Sequence, residues 1–312
     1  MVPLNSTAPS APFLAFGGDS AASFDIAAAR AGGLSFAGRY LPSPGGAWKQ
    51  LTPEEVSRLK HAGISIVSIW ETNPTNAAFF SVERGMNDGI AAGRAASLLG
   101  QPIDTPIYTT IDYDARAEAD FARIATYLYA FRAAISPYKL GVYGGYWVID
   151  RFRDLTPYLW QTYAWSDGRL HPSAALYQLH NMTAIDLDVA FADPGGWGAP
   201  LIPANISVTV GGRGFPVYVL QALLNVAGAS PILTVDGIFG PITMSALNRY
   251  ESTHELPETQ NADSVVWTSL AASLHHYADI NMESPTAKTI LQFLVWLAGQ
   301  IPAFLKWLAA QK

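Results

Sequence analysis

No cysteine occurs among the 312 residues, which removes a disulfide framework, a thiol nucleophile and a Cys-ligated zinc as possibilities. Charge is also scarce. Only 14% of residues are charged, and the 19 Lys and Arg form no basic cluster. With a net charge of -6, this balance argues against nucleic acid as a partner, because phosphate binding needs clustered cations. The six histidines form no HExxH, and no GxGxxG follows the first apolar run, so a zinc amidase and a dinucleotide-binding sheet are both disfavoured. The segment from Met1 to Phe16 has no basic n-region and no long apolar h-region, so no Sec signal is expected there.

What the chain has is apolar material, at 50% of residues, in a particular order. Between Phe13 and Phe191, short β-type runs alternate with Ala-rich helical stretches. The runs include FLAFGG (Phe13–Gly18), SFAGRYL (Ser35–Leu41), GISIVSIW (Gly63–Trp70) and PIYTTID (Pro106–Asp112). Four more follow: KLGVYG (Lys139–Gly144), YLWQTYAW (Tyr158–Trp165), ALYQLH (Ala175–His180) and IDLDVAF (Ile185–Phe191). Alternation of this kind predicts an α/β fold, a (β/α)8 TIM-type barrel over 13–195 with some late helices shortened. An open doubly wound sheet is the other arrangement it allows. Residues 196–214 are rich in Gly and Pro and read as a linker. A small three-helix all-α domain is expected over 215–280, then an apolar helix over 285–312.

Within the small domain, Leu220-Gln221, Leu224-Asn225, the run Val235 to Pro241 (VDGIFGP), Thr243, Ala246-Leu247 and Val266-Trp267 form a long pattern. It resembles the three-helix peptidoglycan-binding domain of bacterial and phage cell-wall enzymes. That resemblance implies bacterial peptidoglycan as the partner and marks Asp236, Gly237, Phe239 and Gly240 as cell-wall-binding-domain residues.

In a barrel, functional groups gather at the C-terminal ends of the strands. Acids fall at such ends: Asp19, Glu71, and Asp112 with Asp114, while Asp186 stands near the start of the last run. Asp188 lies on the same face as Asp186 and is the alternative inward residue. Glycan cleavage needs only carboxylates, one to protonate the leaving oxygen and one to stabilise the cation or activate a nucleophile. Crowding raises one of two acids, which supplies a proton donor. Arg39, Tyr40, Tyr113, Tyr143, Gln161 and Gln178 stand where they could bind a sugar.

The early Gly-Asp, GRYL (Gly38–Leu41), LTPEEVSRLKHAGI (Leu51–Ile64) and IDYDA resemble the bacterial glycoside-hydrolase-like barrels, and more distantly the glycoside hydrolase family 25 muramidases. By that resemblance Asp19, Asp112 with Asp114, and Asp186 form the site. The muramidase acid is a Glu where this chain has Asp114, one methylene shorter. Either Glu71 takes the acid role or the barrel binds without cutting; if it cuts, Asp112 is expected to stabilise the developing positive charge or orient the 2-acetamido group, with Asp114 or Glu71 as the proton donor. The resulting expectation is a phage-endolysin-like N-acetylmuramidase that acts at the wall after synthesis in a host cytoplasm, with no metal and no cofactor. The rivals are a non-catalytic wall-binding or virion structural protein and a metal-dependent amidase. For the apolar tail, with Trp296 and Trp307, both membrane contact and docking or self-association are open.

Overall fold

The β-type runs become strands because both of their faces find cover. The computed structural model describes residues 12–283 apart from 45, 47, 48 and 206. Eight strands close into a barrel: β1 Ala15–Ser20, β2 Phe36–Tyr40, β3 Ser65–Trp70, β4 Pro106–Thr110, β5 Lys139–Gly144, β6 Tyr158–Thr162, β7 Leu176–His180 and β8 Asp186–Ala190. Side chains alternate between interior and exterior along each strand. Ala15, Phe36, Val67, Ile69, Tyr108, Trp160, Leu176 and Ala190 form the inner cluster, while the outward set packs beneath the helices.

Five helices cover this outer face: α1 Ile26–Ala31, α2 Pro53–His61, α3 Val82–Leu98, α4 Glu118–Ala134 and α5 Tyr146–Phe152. Helix α2 begins as its sequence dictates, with the Thr52 hydroxyl accepting from Glu55 N at 3.2 Å and Pro53 in the first turn. Glu54 and Glu55 lie at its positive end and Lys60 and His61 at its negative end. Helices α3 and α4 touch closely at Gly85, where a Cβ would stand 2.4 Å from Tyr127 O. Only glycine permits that approach.

The expected parallel barrel needs one correction. Strand β8 runs antiparallel to both β7 and β1. Only five residues, Asn181 to Ile185, join β7 to β8. A parallel crossover takes a dozen or more, so the chain turns back as a hairpin. No helix follows β6 or β7, which leaves the outer face of β1, β7 and β8 without cover from the barrel's own helices.

The second unit supplies that cover. It consists of β9 Val208–Thr209, α6 Phe215–Val226, α7 Pro241–Thr253, β10 Asn261–Ala262 and α8 Ser264–Glu283, with β9 and β10 paired antiparallel. Helix α6 packs on β1, β7 and β8, and is buried nearly all round. Phe215 N donates to Gly32 O at 2.7 Å, and the Trp267 ring lies 5.7 Å from Phe16 and 6.1 Å from Phe13. Barrel and helical domain thus share one apolar cluster. The segment read as a linker is also pinned: Trp197 pairs with Ile66, and its Nε1 donates to Ser68 Oγ at 2.9 Å. Among the described residues no helix is long and apolar enough to cross a membrane. The apolar helix expected over 285–312 lies outside the described residues.

Candidate active site

The two-residue period of the strands decides which side chains meet at the barrel mouth. Asp19, Tyr40, Ile69, Thr110, Tyr143 and Gln178 point inward near the C-terminal ends of β1 to β5 and β7. Glu71 and Asp112 continue the inward faces of β3 and β4 just beyond their ends. Since β8 runs the other way, its first residue, Asp186, arrives at the same rim. With Trp160 and Asn181 these residues line a cavity of about 200 Å³. Strand β2 leaves room for the floor at Gly38, where a Cβ would stand 2.6 Å from Trp160 Cη2.

Beneath the cavity lies a chain of hydrogen bonds. Thr162 Oγ1 and Tyr143 Oη both donate to Gln178 Oε1 at 2.9 Å, which turns the Gln178 amide nitrogen to donate to Asp19 Oδ2 at 2.7 Å. Trp160 Nε1 donates to Asp188 Oδ1 at 3.0 Å. Burial pushes the Asp19 carboxyl up to about 7, helped by the charge of Asp186 and opposed by the Gln178 amide. Burial, and then the neighbouring Asp19, push Asp188 well up as well. Two carboxyls this close and this buried cannot both ionise at neutral pH.

Toward the mouth the environments diverge. Glu71 is ion-paired with Lys49, whose ammonium also lies 4.4 Å from the Tyr40 ring centroid. Asp112 is pushed up by burial and by the Glu71 charge, with Lys49 opposing. Asp186 is raised by burial, while its hydrogen bond from Met182 N, at 2.9 Å, pulls the other way.

The sign of the Asp19 shift makes a prediction. Its folded value lies above its unfolded value, so the stabilisation from the protonated form is fully present below about pH 4 and is lost as pH rises through about 7. Asp19→Asn keeps the neutral shape. It is expected to melt higher than the parent at pH 8, by on the order of 2–4 kcal/mol of stability, and to match it near pH 4. Calorimetric melts at the two pH values check this; equal melting at pH 8 would contradict the shift.

Other expected site residues stand outside the cavity. Asp114 is exposed and paired with Arg116 at 2.6 Å, and Arg116 also holds Asp167 at 2.7 Å. Tyr113 follows Asp112 outward and stacks at a tilt on Phe80, 6.0 Å away. Gln161 faces out of the barrel, where it accepts from His171 N at 2.8 Å and donates to Arg169 O at 2.6 Å, shaping the β6–β7 loop. Arg39 is also outward. Buried against α2, it holds both Glu55 oxygens at 2.7 and 3.1 Å and the Ser20 carbonyl. Arg39→Ala would strand Glu55 in the core and is expected to cost about 3–5 kcal/mol, read as a lower midpoint in urea; a loss under about 1 kcal/mol would contradict that role.

The cavity also includes residues not expected from sequence. Asn181 comes from the tight β7–β8 turn, and Lys49, which pairs with Glu71 without lining the cavity, from an irregular loop with no periodicity to announce it. Thr110 and Trp160 were legible in principle, since each lies two positions from another inward residue on its strand. Among the described residues no three His, Asp or Glu side chains stand as a metal site.

The sequence pattern of the family described as "Rv2525c-like, glycoside hydrolase-like domain" matches residues 27–191, more than half of the chain. The chain belongs to this family. A second pattern, that of a peptidoglycan binding domain, matches residues 213–270. Among solved structures of the family's fold, the Tat-secreted protein Rv2525c of Mycobacterium tuberculosis, crystallised with HEPES, is similar at 28% identity with a TM-score of 0.51. That likeness covers 59% of this chain and 98% of the other. Two uncharacterized proteins of Bacillus subtilis (strain 168), FadG and YbfG, are each 30% identical over 36% and 37% of this chain. The matched region spans only about a fifth of each relative's length, 20% and 18%. The chain therefore joins a glycoside-hydrolase-like barrel to a peptidoglycan-binding domain.

Proposed function

We propose that the barrel hydrolyses the β-1,4 bond between N-acetylmuramic acid and N-acetylglucosamine in peptidoglycan, in the manner of an endolysin, while the second domain keeps it on the wall. The observation that carries this reading is the split environment of two neighbouring carboxyls, Glu71 against the Lys49 ammonium and Asp112 raised by burial beside Glu71. Glycoside hydrolysis calls for two carboxyls in unlike environments, one to give a proton to the leaving oxygen and one to face the developing positive charge.

The geometry favours a different division of roles from the one the sequence invites. Glu71, paired with the Lys49 ammonium, faces the positive charge that develops at the anomeric carbon. Asp112 donates its proton to the departing glycosidic oxygen. Asp114 takes no part, because its partner Arg116 holds it outside the cavity. Asp19, with Gln178 behind it, and Asp186 accept hydrogen bonds from the sugar bound over Trp160.

Release of reducing ends from purified sacculi tests the reading. The proposal expects release that continues in the presence of a chelator. An amidase would instead release free amino groups and stop on chelation. Tight binding with neither product would leave a wall-binding protein with an inactive barrel.

A further inference from the structure

The motif that marks the small domain is largely occupied with folding. Gln221 Oε1 accepts from Asp236 N at 3.1 Å and Gly237 N at 2.9 Å, while its amide nitrogen donates to Asp236 Oδ1 at 2.8 Å. Phe239 is 1% exposed. These residues build the turn between α6 and α7, and Gly237 and Phe239 are buried within it, so they hold the turn rather than meet a ligand.

Two cavities of this domain, about 120 and 290 Å³, share Ser230, Ala246 and Arg249, and so form one groove with Arg249 at its centre. Arg249 Nη1 donates to Ser230 O, which holds the guanidinium at the junction. Among the described residues no carboxylate pairs with it, and no Asp or Glu lines either cavity, in a chain whose net charge is -6. Ala227 on one side and Ile242 on the other supply apolar walls, and Ile242 is 68% exposed.

We propose that this groove holds the peptide stem of peptidoglycan, with the Arg249 guanidinium on a stem carboxylate and the alanine methyl groups against the apolar walls. The proposal rests on the reading of this domain as peptidoglycan-binding. Charge selects the stem over the glycan: among the described residues no carboxylate pairs with the groove's Arg249, and the ring of Tyr250 is buried and stacked on His254 at 4.0 Å, with no Trp or Phe lining either cavity. A guanidinium binds a carboxylate through paired, charge-assisted hydrogen bonds.

The test uses the full chain carrying Asp112→Asn, so that no probe is cut, and two soluble probes: disaccharide-peptide muropeptides and stem-free glycan in the form of β-1,4 N-acetylglucosamine oligomers, which carry no carboxylate. Calorimetric titration is expected to give muropeptide binding at least tenfold tighter than stem-free glycan. Arg249→Gln is expected to lower muropeptide affinity about tenfold with no change in melting temperature. Ile242→Asp, at a site too exposed to threaten folding, is expected to lower it as well. Unchanged affinity in both variants overturns the groove, as does an equal fall in stem-free glycan affinity on Arg249→Gln, and in either case peptidoglycan binding itself stands. Failure of the parent to bind either probe or whole sacculi overturns the domain reading and the groove together.

Discussion

Asp112→Asn is expected to slow release of reducing ends from sacculi about a thousandfold while sacculus binding and thermal stability stay as they are. Asn fills the same space but cannot give up a proton to the glycosidic oxygen. Asp112 is only partly buried, and its backbone N–H still reaches Pro74 O at 3.1 Å, so the fold has little to lose. The same argument makes a pH prediction. Activity needs Asp112 protonated, so the rate falls on the alkaline side as it ionises. Burial and the Glu71 charge move that limb up from the ordinary carboxylate range. Glu71→Gln removes the charge that holds it there, and the residual alkaline limb should shift to lower pH. Asp114→Asn, by contrast, is expected to change the rate by less than about threefold, since its loss frees a surface ion pair worth little. Steady-state rates across pH for the three variants decide between these roles. A severe defect in Asp114→Asn with a mild one in Asp112→Asn would reverse them.

A chain cut at residue 195 is expected not to fold. In most barrels a helix covers each strand, but here β1, β7 and β8 rely on α6. Phe13 and Phe16, each 1% exposed, are sealed in part by Trp267. Burial of each large apolar side chain contributes about 1.5–3 kcal/mol, and a domain's net stability is only about 5–15 kcal/mol. Loss of α6 and Trp267 together exceeds what the barrel can spare. The milder change Trp267→Ala is expected to cost about 3–5 kcal/mol. Circular dichroism melts of both proteins check this. A soluble, cooperatively melting barrel of residues 12–195 would show that the docked domain is an accessory rather than part of the core.

How far the site was legible follows from which signals are local. Strand alternation is local, so Asp19, Glu71 and Asp112 could be placed at a barrel rim from sequence. The β8 reversal was legible too, because five residues cannot make a parallel crossover, but a reading built on eight repeats overlooked it. That reversal explains why Asp186, at the start of its strand, reaches the rim, and why Asp188 sits deeper, against Trp160. The Arg39–Glu55 pair and the Arg116–Asp167 clasp join residues distant in sequence or beyond any period. Arg39 therefore read as a sugar contact, and Asp114, which Arg116 also holds, as an acid, when both are struts. Lys49, which pairs with Glu71, lies in a loop where no periodicity operates. In the small domain the motif read as a binding signature is the part most occupied with folding, since its turn is knotted to Gln221.

The measurement closest to the central claim is mass spectrometry of the soluble products from borohydride-reduced digests of sacculi, with Asp112→Asn run in parallel. Fragments ending in reduced muramic acid, absent from the variant although it still sediments with sacculi, are the predicted result. Sacculi that stay insoluble with the parent protein bound, or fragments whose new ends are amino groups, would contradict it.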